Sequence, residues 1–187
     1  MSQPAPTRNR TYFLEDRNYH ELRVLLLVGS VAAAPNGPGH VDGLGQLAKL
    51  DFLVRHPLFA AQVLDNVDPR DRRLHSEDAD ARSVEAPVRR HRYGPWDERY
   101  YTVVGALLGR ALLIRGADGR ARMTLRPSIH GTEVARSAAN APAWSAVSDR
   151  CRVVAEAAHG LSGNRIAELI RERLSLNEEH SFGDLIT

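Results

Sequence analysis

Lysine is nearly absent. Of 25 basic side chains only Lys49 is a lysine, and the rest are arginines. Arginine-rich surfaces suit bidentate recognition of carboxylates and phosphates, but the bias runs through every segment, loops included, as GC-rich coding produces. Cysteine is scarcer still. Cys151 stands alone, which excludes an intrachain disulfide and a multi-cysteine zinc site and fits a reducing compartment. Charge of one sign is not in excess either: 25 basic against 23 acidic groups leave +2, weak for a dedicated nucleic-acid binder. No apolar run is long enough for a bilayer, which needs about 18–20 residues. The best imitation of a targeting segment, Val24 to Ala34, is preceded by Glu15, Asp16 and Glu21, unlike a short positive secretory flank. It reads as a buried helix of a cytoplasmic protein without membrane contact.

What is present suits a globular protein. The chain has 187 residues, 43% apolar and 26% charged, enough for one domain with a core. Residues 1–18 form a polar tail. Helices are expected from Tyr19 to Ala34, Leu44 to His56 and Pro57 to Asn66, from apolar positions at helical spacing and proline and glycine breaks. Residues 67–86 are charged and aperiodic, the pattern of a solvated loop. Pro87 to Tyr93 reads as extended, and a long helix is expected from Pro95 to Leu113, with Trp96, Tyr100, Val103, Val104, Leu107 and Ala111 on its apolar face. Two β-competent arms then flank Asp118-Gly119, a hairpin turn pair. Helices follow over Pro127 to Asn140, where Gly131 is a weak point, over Ala141 to Ala158, and from a Ser162 cap to Leu174. Helix, helix, hairpin outlines a winged-helix-like, mainly α (α+β) domain over 19–140. A helical extension over 141–176 and an acidic tail over 177–187 complete the chain.

No constellation announces catalysis, a cofactor or a metal. Gly37 and Gly39 would need a glycine at position 42 for a dinucleotide fingerprint, and Asp42 stands there; no Walker lysine pattern occurs. The eight histidines are scattered, and the donors His75, Glu77, Asp78 and Asp80 share a loop with no rigid partner. Cys151 falls on an apolar helix face, where a buried thiol is ordinary. Asp97 and Glu98, adjacent on a helix, point apart.

The informative block is Arg89 to Tyr101, RRHRYGPWDERYY. Arginine mixed with aromatics suits protein interfaces and nucleic-acid grooves. It equally suits a helix start with Trp96 and Tyr100 in the core and Asp97 and Glu98 near the dipole. The candidate interface is Arg92, Tyr93, Trp96, Asp97, Arg99, Tyr100 and Tyr101. Arg115, Arg120 and Arg122 on the hairpin could touch DNA phosphates, a weak nonspecific contribution. The helix before the hairpin offers few side chains able to read bases.

Two segments carry a resemblance. LAKLDFLVRHP (47–57) resembles a KLDFLLRYP signature, and RYGPWDERYYTVVGALLGRALL (92–113) resembles RYGPWDxRYY…GrGL. Both signatures belong to the middle component of bacterial ABC-three-component systems, including Lamassu-type anti-phage defence. LRPSIHG (125–131) echoes a further family stretch, with Pro127 and Ser128 departing from it. CRVVAEAAHGLSGNRIAELI (151–170) resembles the family's C-terminal helix, Leu-Ser-Gly, helix unit. The resemblance implies a non-enzymatic adaptor between an SMC/Rad50-like ATPase subunit and an effector subunit, often a nuclease. The alternative is a free-standing winged-helix transcriptional regulator.

Overall fold

A computed structural model describes residues 17–35, 37–74, 88–91, 94–96, 98–117, 123–174 and 185–186. Helix α1 (Arg17–Ala33) runs through the middle. Its positions Val24 to Val28 are all buried, so it has no solvated stripe, as its nearly uninterrupted apolar sequence requires. Helix α2 (Gly43–Arg55) begins where the Gln46 side chain accepts the Asp42 backbone N–H at 2.7 Å. Pro57 opens the short α3 (Pro57–Val63), where its missing N–H costs nothing.

Residues 67–74 depart from the solvated loop expected over 67–86, and the helix expected to reach Asn66 ends at Val63. Val67 and Leu74 are buried, and Arg73 bridges Asp71 at 2.8 Å and Glu156 at 2.9 Å. Residues 75–87, with the donors at 75, 77, 78 and 80, lie outside the described residues.

A small antiparallel sheet comes next. Strand β1 (Val88–His91) pairs with β2 (Gly94–Trp96), Arg89 opposite Trp96, and with β5 (Leu185–Ile186), Val88 opposite Ile186. The tail expected at the C-terminus thus supplies a strand. The helix expected from Pro95 starts only at Arg99, as α4 (Arg99–Gly109). Pro95 biases Gly94 to an extended backbone, and pairing with β1 keeps Trp96 in the sheet, off the helical face assigned to it. Ala111 also leaves that face: it is exposed with φ +54°.

Strands β3 (Leu113–Ala117) and β4 (Met123–Pro127) form the expected hairpin, in register from Leu113–Pro127 to Ala117–Met123. Val41 clips onto β4 through two 2.9 Å backbone bonds with Leu125. The remaining helices are α5 (Ile129–Ala139), α6 (Ser145–Ala157), preceded by a 3-10 turn (Pro142–Trp144), and α7 (Gly163–Arg173). The Ser128 and Ser162 hydroxyls cap α5 and α7 as acceptors from the Gly131 and Arg165 N–H groups.

The fold is mainly helical with one hairpin after a helix, a winged-helix-like α+β arrangement. Helices α6 and α7 share one core with α1 and α2, through Leu27, Phe52, Val154, Ile166 and Ile170. The segment expected as an extension therefore completes the core. No helix among the described residues is long and apolar enough to cross a membrane.

Candidate functional site

Helix α2 carries an acid, Asp51, between Leu50 and Phe52, and its side chain is wholly buried. A carboxylate there must be matched by donors. Arg23 of α1 supplies two: its Nε donates to Oδ1 at 2.8 Å and its Nη2 to Oδ2 at 2.9 Å. Tyr100 of α4 adds a third, its hydroxyl donating to Oδ2 at 2.7 Å. Burial pushes the Asp51 carboxyl up, but the Arg23 guanidinium, the Arg55 charge and the Tyr100 hydroxyl outweigh it and hold the group below the ordinary carboxylate value. For Tyr100, burial and then the Asp51 charge outweigh the opposing Arg23 and Arg55 charges and raise its phenol well above the usual value. Cys151 of α6 lies near enough to feel them. Burial, then the Asp51 charge, pushes its thiol up to about 12.

The cluster extends to the surface through His20. Its Nδ1 lies 3.0 Å from Arg23 Nη1 and its Nε2 lies 3.0 Å from Arg99 Nη1. Guanidinium only donates, and a neutral imidazole accepts at one nitrogen, so His20 accepts from one arginine at a time. Beside it the buried Glu21 accepts from Arg17 Nε at 2.7 Å and from Arg110 Nη1. Glu21 thereby ties α1 to the end of α4. Tyr19 stacks on Trp144 at 5.4 Å, and Arg23 sits over the Tyr19 ring.

Of the arginine–aromatic block, this arrangement gathers Arg99 and Tyr100. Tyr101 points outward, 64% exposed. Trp96 is in β2, and Arg92, Tyr93 and Asp97 lie outside the described residues. Arg115 is exposed on β3, while Arg120 and Arg122 lie outside the described residues. Sequence reasoning did not single out Arg23, His20, Glu21 or Asp51. For Arg23 and Asp51 the sign was there: charged residues at helix positions whose neighbours on both sides are apolar.

Asp51 is engaged by three donors, and Tyr100 and Cys151 hold their protons at neutral pH. Such a group fixes the crossing of α1, α2 and α4. Among the described residues no three His, Cys, Asp or Glu side chains converge as a metal site. The fold and this cluster together define a helical, hairpin-bearing protein in which a buried ion pair and a buried tyrosine hydrogen bond join three helices. Comparison of the chain with family models, with curated proteins and with solved structures gives no match.

Proposed function

We propose that the chain is a non-enzymatic adaptor, the middle subunit of an anti-phage defence complex, joining an SMC/Rad50-like ATPase subunit to an effector subunit. The observation that supports this reading is the meeting of the two signature segments. Asp51 of the first and Tyr100 of the second are joined at 2.7 Å, and the residues flanking Tyr100 reach the surface. There Tyr101 and Arg99 are exposed, beside Arg17 and Arg110, whose side chains are 56% and 55% exposed. At that surface Arg17 and Arg110 both bond Glu21, and Arg99 reaches His20. This cationic, aromatic face suits an acidic partner surface, with Tyr and Arg as anchors.

The test is co-purification with the ATPase and effector subunits that this reading requires. Arg99→Glu with Tyr101→Ala should abolish assembly while the far-ultraviolet circular dichroism of the isolated chain stays unchanged. Normal assembly of the double variant rejects this face as the docking surface.

A second reading, the free-standing DNA-binding regulator, draws on the exposed Arg115 and Arg126 of the hairpin. Against it, the exposed positions of α4 are Arg99, Tyr101, Thr102, Gly105 and Gly109, a set with a single arginine for base readout. It requires sequence-selective binding by this chain alone, with a steep salt dependence.

A further inference from the structure

A cleft of about 500 Å³ opens between the C-terminal half of α1, α5 and α6. That volume falls in the range of small-ligand sites. Its apolar walls are built from small residues, among them Gly29, Ala33, Ala135 and Ala139, with Leu26 alongside. The two helices come close here, since a Cβ on Gly29 would meet the Ala135 Cβ at 3.5 Å.

The polar groups lining the cleft are of two kinds. Some are already engaged: Glu156 by Arg73 at 2.9 Å, Arg152 by Asp149, and the Thr132 hydroxyl by the Ser128 carbonyl at 2.9 Å. Others have no hydrogen bond or ion pair among the described residues: Ser30, Ser148 and Arg136. Ser148 is only 4% exposed. A hydroxyl so deeply placed is normally bonded to protein or to water, and here it lines the cleft. The one unengaged charge in the cleft is therefore positive, with two hydroxyl donors available to the same ligand.

We propose that this cleft binds a small amphiphilic anion, a carboxylate or phosphate head on a short alkyl tail. The head would pair with Arg136 and take hydrogen bonds from Ser30 and Ser148. The tail would lie along Gly29, Ala135 and Leu26. The shared chemistry is one anionic group on an apolar chain, and the choice of head separates acyl from phosphorylated ligands. No residue of the Arg99–Tyr101 face lines this cleft, and the proposal does not depend on the adaptor reading.

The experiment is calorimetric titration of the full chain with octanoate, octyl phosphate and octanol. At least one anion should bind at submillimolar concentration, and octanol at least about tenfold more weakly, the scale of a charge-assisted contact. Arg136→Gln should remove that difference without altering octanol binding. Ser148→Ala should weaken the anion several-fold while leaving the thermal midpoint unchanged or raised, because no partner within the protein is lost. Ala139→Leu should block all three probes. Equal binding of octanol and the anions, no binding at millimolar concentration, or insensitivity to Arg136→Gln overturns the proposal. So does a lowered thermal midpoint in Ser148→Ala, which would reveal a hydroxyl already used by the fold. Binding of acidic peptides from a partner subunit, with neither alkyl anion bound, overturns it as well.

Discussion

Gly131 lies so close to Leu112 that a Cβ placed on it would fall 1.9 Å from the Leu112 carbonyl oxygen. The first turn of α5 is pressed onto the segment leaving α4. Ser128 secures the contact, its N–H donating to the Leu112 carbonyl at 3.0 Å and its hydroxyl to the Ala111 carbonyl at 2.7 Å. Helix propensity alone predicts that Gly131→Ala stabilises by about 1 kcal/mol. The contact predicts the opposite sign. The obstacle is backbone, so no rotamer change relieves it, and a loss of roughly 3 kcal/mol or more is expected. Urea unfolding of the two proteins decides between them.

The Arg23–Asp51 pair predicts strong non-additivity. Asp51→Ala leaves Arg23 buried without its carboxylate and should cost about 3–5 kcal/mol, and Arg23→Met should cost a comparable amount. The double variant Arg23→Met/Asp51→Leu removes both charges and should lose clearly less than the sum. Tyr100→Phe should cost about 1.5–3 kcal/mol, the value of a hydrogen bond to a charged acceptor. Additive single and double effects in denaturant unfolding would mean that the pair is not coupled in the folded protein.

Most of the scaffold could be read from the sequence, and the cluster could not, for a physical reason. Periodicity reports which face of a helix is apolar. That was enough for α1, α2 and α7, and Asp118-Gly119 with its apolar arms was enough for the β3–β4 hairpin. Periodicity does not say which distant charge answers a buried one. Arg23 and Asp51 are 28 positions apart and Asp51 and Tyr100 are 49 apart, so their pairing depends on how three helices cross. The α4 start was misplaced because Trp96 fits a helical face as well as it fits a strand, and only pairing across β1 decides. Gly131 looked like a weak point in its helix because a close backbone approach from Leu112 leaves no trace in local sequence.

Both ends of the pH scale should reveal the buried groups. The folded Asp51 carboxyl lies below its unfolded value, so it stabilises above the unfolded value, near pH 4, and this is lost as pH falls through the folded value. Cys151 acts at the other end. Its folded thiol titrates near 12 against about 8.5 in the unfolded chain, so between those values the unfolded state binds fewer protons and stability falls with rising pH. The Cys151 contribution approaches about 1.4 kcal/mol per pH unit there. Cys151→Ala should reduce the slope of unfolding free energy between pH 9 and pH 10.5 by about that amount. An unchanged slope would mean that the thiol titrates alike in both states.

The end of α4 predicts a gain from a single substitution. The Leu112 N–H donates to the Leu107 carbonyl at 2.9 Å and the Ala111 N–H to the Leu108 carbonyl at 3.0 Å. This double closure needs a left-handed residue at the first position past the cap, where glycine is preferred. Ala111 fills it with φ +54°, and a left-handed alanine costs about 1–2 kcal/mol. Glycine removes that strain but adds freedom to the unfolded chain, worth about 0.4–1 kcal/mol in the other direction. Ala111 is exposed, so little packing is lost with its methyl group. The net expectation for Ala111→Gly is a gain of about 0.5–1 kcal/mol, seen as a higher urea midpoint with an unchanged slope. A loss of stability on Ala111→Gly would show that the turn tolerates alanine without strain, and that α4 is held at this end by Ser128 and the Glu21–Arg110 pair alone.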